Sequence, residues 1–166
     1  MKKPILILLL LALSSQIFSQ VTELKEVVIT AVNYKYLNSV DSEENSITVQ
    51  ELQEKVAMFD LKSSEYYNDE YDTYNISFYI PDGKILAAYD KDGKLIRTIE
   101  KFKNVKLPKT VRDAVAKRFP NWSMTSDVYK VSFHKKNDVA KKQYKVNLEN
   151  GDKKMKVKLD EKGNFQ

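Results

Sequence analysis

Apolar and polar residues alternate with a period of two in four separate stretches of this chain. They are Tyr74-x-Ile76-x-Phe78-x-Ile80, Tyr129-x-Val131-x-Phe133, Tyr144-x-Val146-x-Leu148 and Met155-x-Val157-x-Leu159. Alternation sends one set of side chains to one side of a strand and the other set to the reverse, so each stretch is read as a strand with one buried face. Lys84 to Tyr89 and Lys94 to Phe102 are read as further strands. Pro81-Asp82-Gly83, Asp90 to Gly93, Asn150-Gly151 and Asp160 to Gly163 supply the turns, and all four glycines fall in them. Strands joined by such short turns pair antiparallel.

Two segments follow a different period. Val49, Leu52, Val56 and Phe59 recur at helical spacing, and Thr48-x-x-Glu51 has the form of a capping box with Ile47 placed to staple onto Leu52. A helix is therefore expected from Thr48 to about Phe59. Val111, Ala114, Val115 and Phe119 form a second stripe, opened by Pro108 and stopped by Pro120. Leu24 to Leu37, rich in β-branched and aromatic residues, reads as an additional N-terminal strand. The fold class this implies is α+β, an antiparallel sheet with two helices on one face. Helix and β-meander occur twice in that order, as tandem repeats over 48–102 and 108–166. Tyr74-x-Ile76-x-Phe78 matches Tyr144-x-Val146-x-Leu148, and Tyr89-Asp90-x-x-Gly93 matches Leu159-Asp160-x-x-Gly163, each seventy residues on.

The first residues carry an address. Lys2 and Lys3 precede an apolar run ending near Leu13, and Ser14 to Gln20 is polar and rich in small residues. That is the order of a signal peptide over 1–19, and the run is shorter than the roughly 20 residues of a membrane-spanning helix. The mature chain is expected in the periplasm or secreted, with residues 20–47 as strand and linker before a domain over 48–166, and no membrane span after cleavage. The chain has no cysteine, which excludes disulfides and thiolate metal sites, and one histidine, His134, which excludes a site needing two.

Catalytic chemistry finds no support in the residues. With every glycine in a turn, no phosphate-cradling loop remains, and no cofactor is expected. Asp90-x-Asp92-Gly93 has part of a calcium loop, but the closing position holds Lys101 where a glutamate is required, so a hairpin turn is expected and no metal. Asp60, Glu65, Asp69, Glu70 and Asp72 contain the carboxylates a hydrolase needs, yet so dense an acidic run reads as solvated loop. A carboxylate-dependent hydrolase stays as an alternative, as does a ligand-free structural or envelope-stress protein.

The run Leu107-Pro-Lys-Thr-Val111-Arg-Asp-Ala114-Val115-Ala-Lys-Arg-Phe119-Pro120-Asn-Trp122, followed by Tyr129-x-Val131, Tyr144-x-Val146 and Asp160-x-x-Gly163, resembles the PepSY-like family. These are small secreted bacterial proteins related in fold to β-lactamase-inhibitor proteins. The resemblance covers Tyr74 to Phe165 and implies helices on one side of a sheet with the other side open. In the inhibitor proteins the open side grips a partner protein. They carry disulfides that this chain lacks, and no partner-contacting residue of theirs transfers to it.

Charge is unevenly divided. Gln20 to Glu100 holds 8 Lys+Arg against 16 Asp+Glu, whereas Lys101 to Gln166 holds 18 against 7. In the second half the alternation turns Lys130, Ser132, His134, Lys145, Asn147, Lys154, Lys156 and Lys158 away from the helices. Strands lie about 4.8 Å apart, which puts these lysines within one Debye length of each other. Lysines can simply blunt an exposed sheet against aggregation, or they can bind an acidic protein, peptide or glycan. Nucleic acid is not expected, since the export signal removes the chain from it. The function expected is a non-enzymatic binding or inhibitory module for another extracytoplasmic protein or peptide. Lys130, His134, Lys145, Lys154, Lys156 and Lys158 are its candidate contact residues, none of them catalytic.

Overall fold

The computed structural model describes residues 33–166 apart from Glu43 and Asp138. The expected signal peptide lies outside these residues, as does the expected N-terminal strand as far as Val32. The remainder of that strand is corrected by the structure, because Tyr34–Val40 is a helix, α1. Its side chains decide the matter. Tyr36 and Val40, one helical turn apart, are buried, whereas Tyr34, which a strand would place beside Tyr36, is exposed. The linker expected over 20–47 thus contributes a helix to the core.

Helix α2 spans Ile47–Ala57 and buries Val49, Leu52, Gln53 and Val56 along one stripe. The expected capping box does not form. Ser46 takes the N-cap position without a side-chain cap bond, and Ile47 is exposed to solvent instead of stapled. Six strands follow: β1 Thr73–Ile80, β2 Gly83–Asp90, β3 Leu95–Lys103 and, after helix α3 at Lys109–Arg118, β4 Ser123–His134, β5 Lys141–Asn150 and β6 Lys153–Asp160. They form one antiparallel sheet in the order of the sequence, β1 to β6. Among the described residues three helices, not the expected two, cover one face. Val111 and Val115 of α3 join Tyr36, Val49, Val56, Ile85, Tyr129, Val146 and Leu159 in the same hydrophobic core.

The order helix–three strands does occur twice, but the matches seventy residues apart do not follow it. They place β1 on β5 and β2 on β6, where equivalent elements would place β1 on β4. What they share is turn chemistry. Asp90 Oδ1 accepts from the backbone N–H of Asp92 and Lys94, and Asp160 Oδ1 accepts from those of Lys162 and Asn164. Gly93 and Gly163 close the two turns at φ 79° and 82°, where a side chain is strained. Asp90 is thereby held by its own turn, as the hairpin reading expects.

One polar group anchors the helices to the sheet. Glu100 of β3 points inward and is 1% exposed. Its Oε1 accepts from the Tyr36 hydroxyl of α1 at 2.9 Å and from Thr98 Oγ1 at 2.8 Å. Its Oε2 accepts from Gln53 Nε2 of α2 at 2.8 Å. Asn33 makes a second tie, donating to Ala57 O at 3.0 Å and accepting from Leu95 N at 2.9 Å.

Candidate functional site

The inward phase of the strands fixes what the other side of the sheet carries. Thr98, Glu100 and Phe102 face the helices, so Ile99, Lys101 and Lys103 face away from them. The same phase turns Lys84 and Leu86 of β2 outward, with Lys130 and Ser132 of β4, Lys145 and Asn147 of β5, and Lys156 and Lys158 of β6.

Register then sets the neighbours. Lys84 pairs with Lys101, and Lys101 with Lys130, so three lysines stand in a row across β2, β3 and β4. Lys103 pairs with Val128, Val128 with Lys145 and Lys145 with Lys158, which makes a second row one side chain further along. Asn147 pairs with Lys156 beyond it. Among the described residues Lys84, Lys101, Lys103, Lys130, Lys145, Lys156 and Lys158 have no carboxylate within salt-bridge distance. Lys145 bears the consequence. The Lys130 ammonium beside it, then Lys158 and Lys156, hold its pKa below the ordinary lysine value. A shallow groove of about 310 Å³ at the β1–β2 turn end of this face is lined by Tyr79, Lys84, Lys101 and Lys103, with Pro81 and the Asp82 carboxylate at its edge.

Of the six residues expected from the sequence, the structure brings Lys130, Lys145, Lys156 and Lys158 together. It sets His134 apart and keeps Lys154 beside Lys156. His134 pairs with Arg97 at the far end of β4 and accepts at Nδ1 from Lys136 N at 3.1 Å. Lys154 is the next outward position from Lys156 on β6 and differs from it in being ion-paired with Glu149 at 3.1 Å. Three members were missed: Lys84, Lys101 and Lys103. Their signal was present, since each sits on the polar phase beside Ile85 or Phe102, but only the β3–β4 register shows that they adjoin Lys130 and Lys145.

The face is not purely cationic. Ile99 is 54% exposed and Leu86 38% exposed, and the two pair with each other directly above the row Lys84–Lys101. Tyr79 of the edge strand is exposed and pairs with Lys84 at the end of that row.

The acidic segment presents a different picture. Asp60 closes a local turn by accepting from Ser63 Oγ at 2.7 Å, which lowers its pKa. Asp72 is solvated, 4.0 Å from Lys91. Tyr67 stacks on Tyr74, and Tyr71 meets it edge-on, so this segment is organised around the Tyr74 ring.

Fold and surface together define an α+β protein whose sheet, among the described residues, has one face sealed by helices and one face bare, basic and partly apolar. No family model matches the chain. No curated protein matches it either. Among solved structures it is similar to a BLIP-like protein from Bacteroides fragilis, with 17% sequence identity and a TM-score of 0.33. That likeness covers 58% of this chain and 66% of the other. At that overlap it assigns no residue role here. Among the described residues no helix is long and apolar enough to cross a membrane.

Proposed function

We propose that this chain is a non-enzymatic binding module that holds an acidic extracytoplasmic protein or peptide on the open face of its sheet. The supporting observation is the set of seven lysines on that face without an anionic partner among the described residues. Folding does not require them there. Like charges on adjacent strands weaken a sheet, and a solubilising surface serves as well with both signs interspersed. An acidic partner turns the same repulsion into attraction and speeds encounter through long-range steering. Where the partner is an enzyme whose active site meets the face, binding is inhibitory.

Crosslinking from the envelope fraction tests this. A partner captured by the native chain and lost by a Lys145→Glu, Lys156→Glu, Lys158→Glu variant of unchanged circular dichroism supports the reading. Undiminished capture by that variant removes it.

A further inference from the structure

The open face combines charge with an apolar pair at fixed spacing. Along β3, Ile99, Lys101 and Lys103 occupy alternate positions and project from the same side. Leu86 and Lys84 of β2 stand beside the first two in register. Side chains two apart on a strand are separated by about 6.7 Å. The surface therefore reads, from one end, an aliphatic pair, then a lysine pair, then Lys103 beside Lys145 with only Val128 between them.

An extended polypeptide has the same two-residue period, so it can match every step of this series. We propose that the occupant is an extended acidic segment with an apolar residue and two carboxylates at alternate positions (apolar-x-acidic-x-acidic, in either chain direction). It lies along β3, with the apolar side chain on Leu86 and Ile99 and the carboxylates over Lys84 and Lys101, then Lys103 and Lys145. This rests on the proposed function and specifies the partner's chemistry. An anionic polysaccharide supplies charge but no aliphatic group for Ile99, and a lipid surface presents no fixed spacing.

The test is a titration of the ¹⁵N-labelled, processed chain at low salt with two synthetic peptides of identical composition. One has leucine and two glutamates at alternate positions separated by serines. The other has them on opposite phases. The in-phase peptide is expected to bind roughly five- to tenfold tighter, the size of a half-buried aliphatic contact, and to shift the amides of Ile99, Lys101 and Lys103. Ile99→Ser is expected to erase that preference while both peptides still bind in a salt-sensitive way. Equal affinities for the native chain overturn the spacing proposal and leave the basic-face reading intact. Binding of heparin or phosphatidylglycerol vesicles with neither peptide bound overturns it in favour of a glycan or membrane. No binding of any of these polyanions overturns both readings.

Discussion

Replacing Glu100 by alanine removes the acceptor that joins α1 and α2 to β3. Three buried donors, from Tyr36, Gln53 and Thr98, then lose their partner. An orphaned buried donor costs about 1–3 kcal/mol, and each lost methylene about 0.8 kcal/mol. Part of that is offset because a charge no longer has to be kept out of water. The expected loss is about 3 kcal/mol, measured as a fall in the urea midpoint at constant slope. Glu100→Gln keeps the shape and can still accept at one oxygen. Gln53 can turn its own carbonyl toward the new amide, so this variant is expected within about 1 kcal/mol of the native chain at low pH.

The pH dependence separates charge from shape. Burial pushes the Glu100 pKa up, and the hydrogen bonds from Gln53, Thr98 and Tyr36 reverse only part of that. A folded-state pKa above the unfolded one means that the folded chain binds the proton more tightly. Stability is therefore highest below the ordinary carboxylate range and falls as pH rises toward the folded pKa, by at most about 1.4 kcal/mol per pH unit. Glu100→Gln lacks that decline, so the gap between the two proteins should move in favour of the variant from pH 4.5 upward. A Glu100→Ala loss below about 1 kcal/mol, or native and Gln curves that stay parallel with pH, refutes this account of the buried clasp.

Other expectations follow from single observations. Gly163 and Gly151 both have positive φ, but only at Gly163 does an added Cβ meet backbone, 2.8 Å from Thr110 O. Gly163→Ala should therefore cost about 3 kcal/mol and Gly151→Ala about 1 kcal/mol, and equal losses would show that the α3–turn contact yields freely. Lys145→Gln should raise the melting temperature at low salt and do so less in 1 M salt, because the repulsion it relieves is screened. A salt-independent change would mean that the effect is not electrostatic.

The hairpins were legible because their strands bury one face and their turns use a narrow set of residues. Asp90 and Asp160 announce identical turns, and this also explains why a likeness between turns reads as a duplicated unit. Helix α1 was not legible, since a stretch rich in β-branched and aromatic residues precedes it and its buried face rests on only Tyr36, Ser39 and Val40. Glu100 was hidden for another reason. A charged residue on the inward phase contradicts the pattern used to find the strand, and its partners lie in two helices distant in sequence. The basic face was half legible. Phase alone identifies Lys130, Lys145, Lys156 and Lys158, whereas cross-strand register is needed to add Lys84, Lys101 and Lys103 and to set His134 apart.

The uninterrupted order of the strands has a kinetic side. Each ladder joins neighbours in the chain, and the β1–β2 and β5–β6 connections are tight turns, so little loop entropy opposes zipping. The sheet can grow as two three-stranded meanders, β1 to β3 and β4 to β6, joined through α3. The clasp between Tyr36 and Glu100 closes across 64 positions and must wait for the third strand, so the first helix is the earliest segment synthesised among those described and one of the later ones to be fastened down.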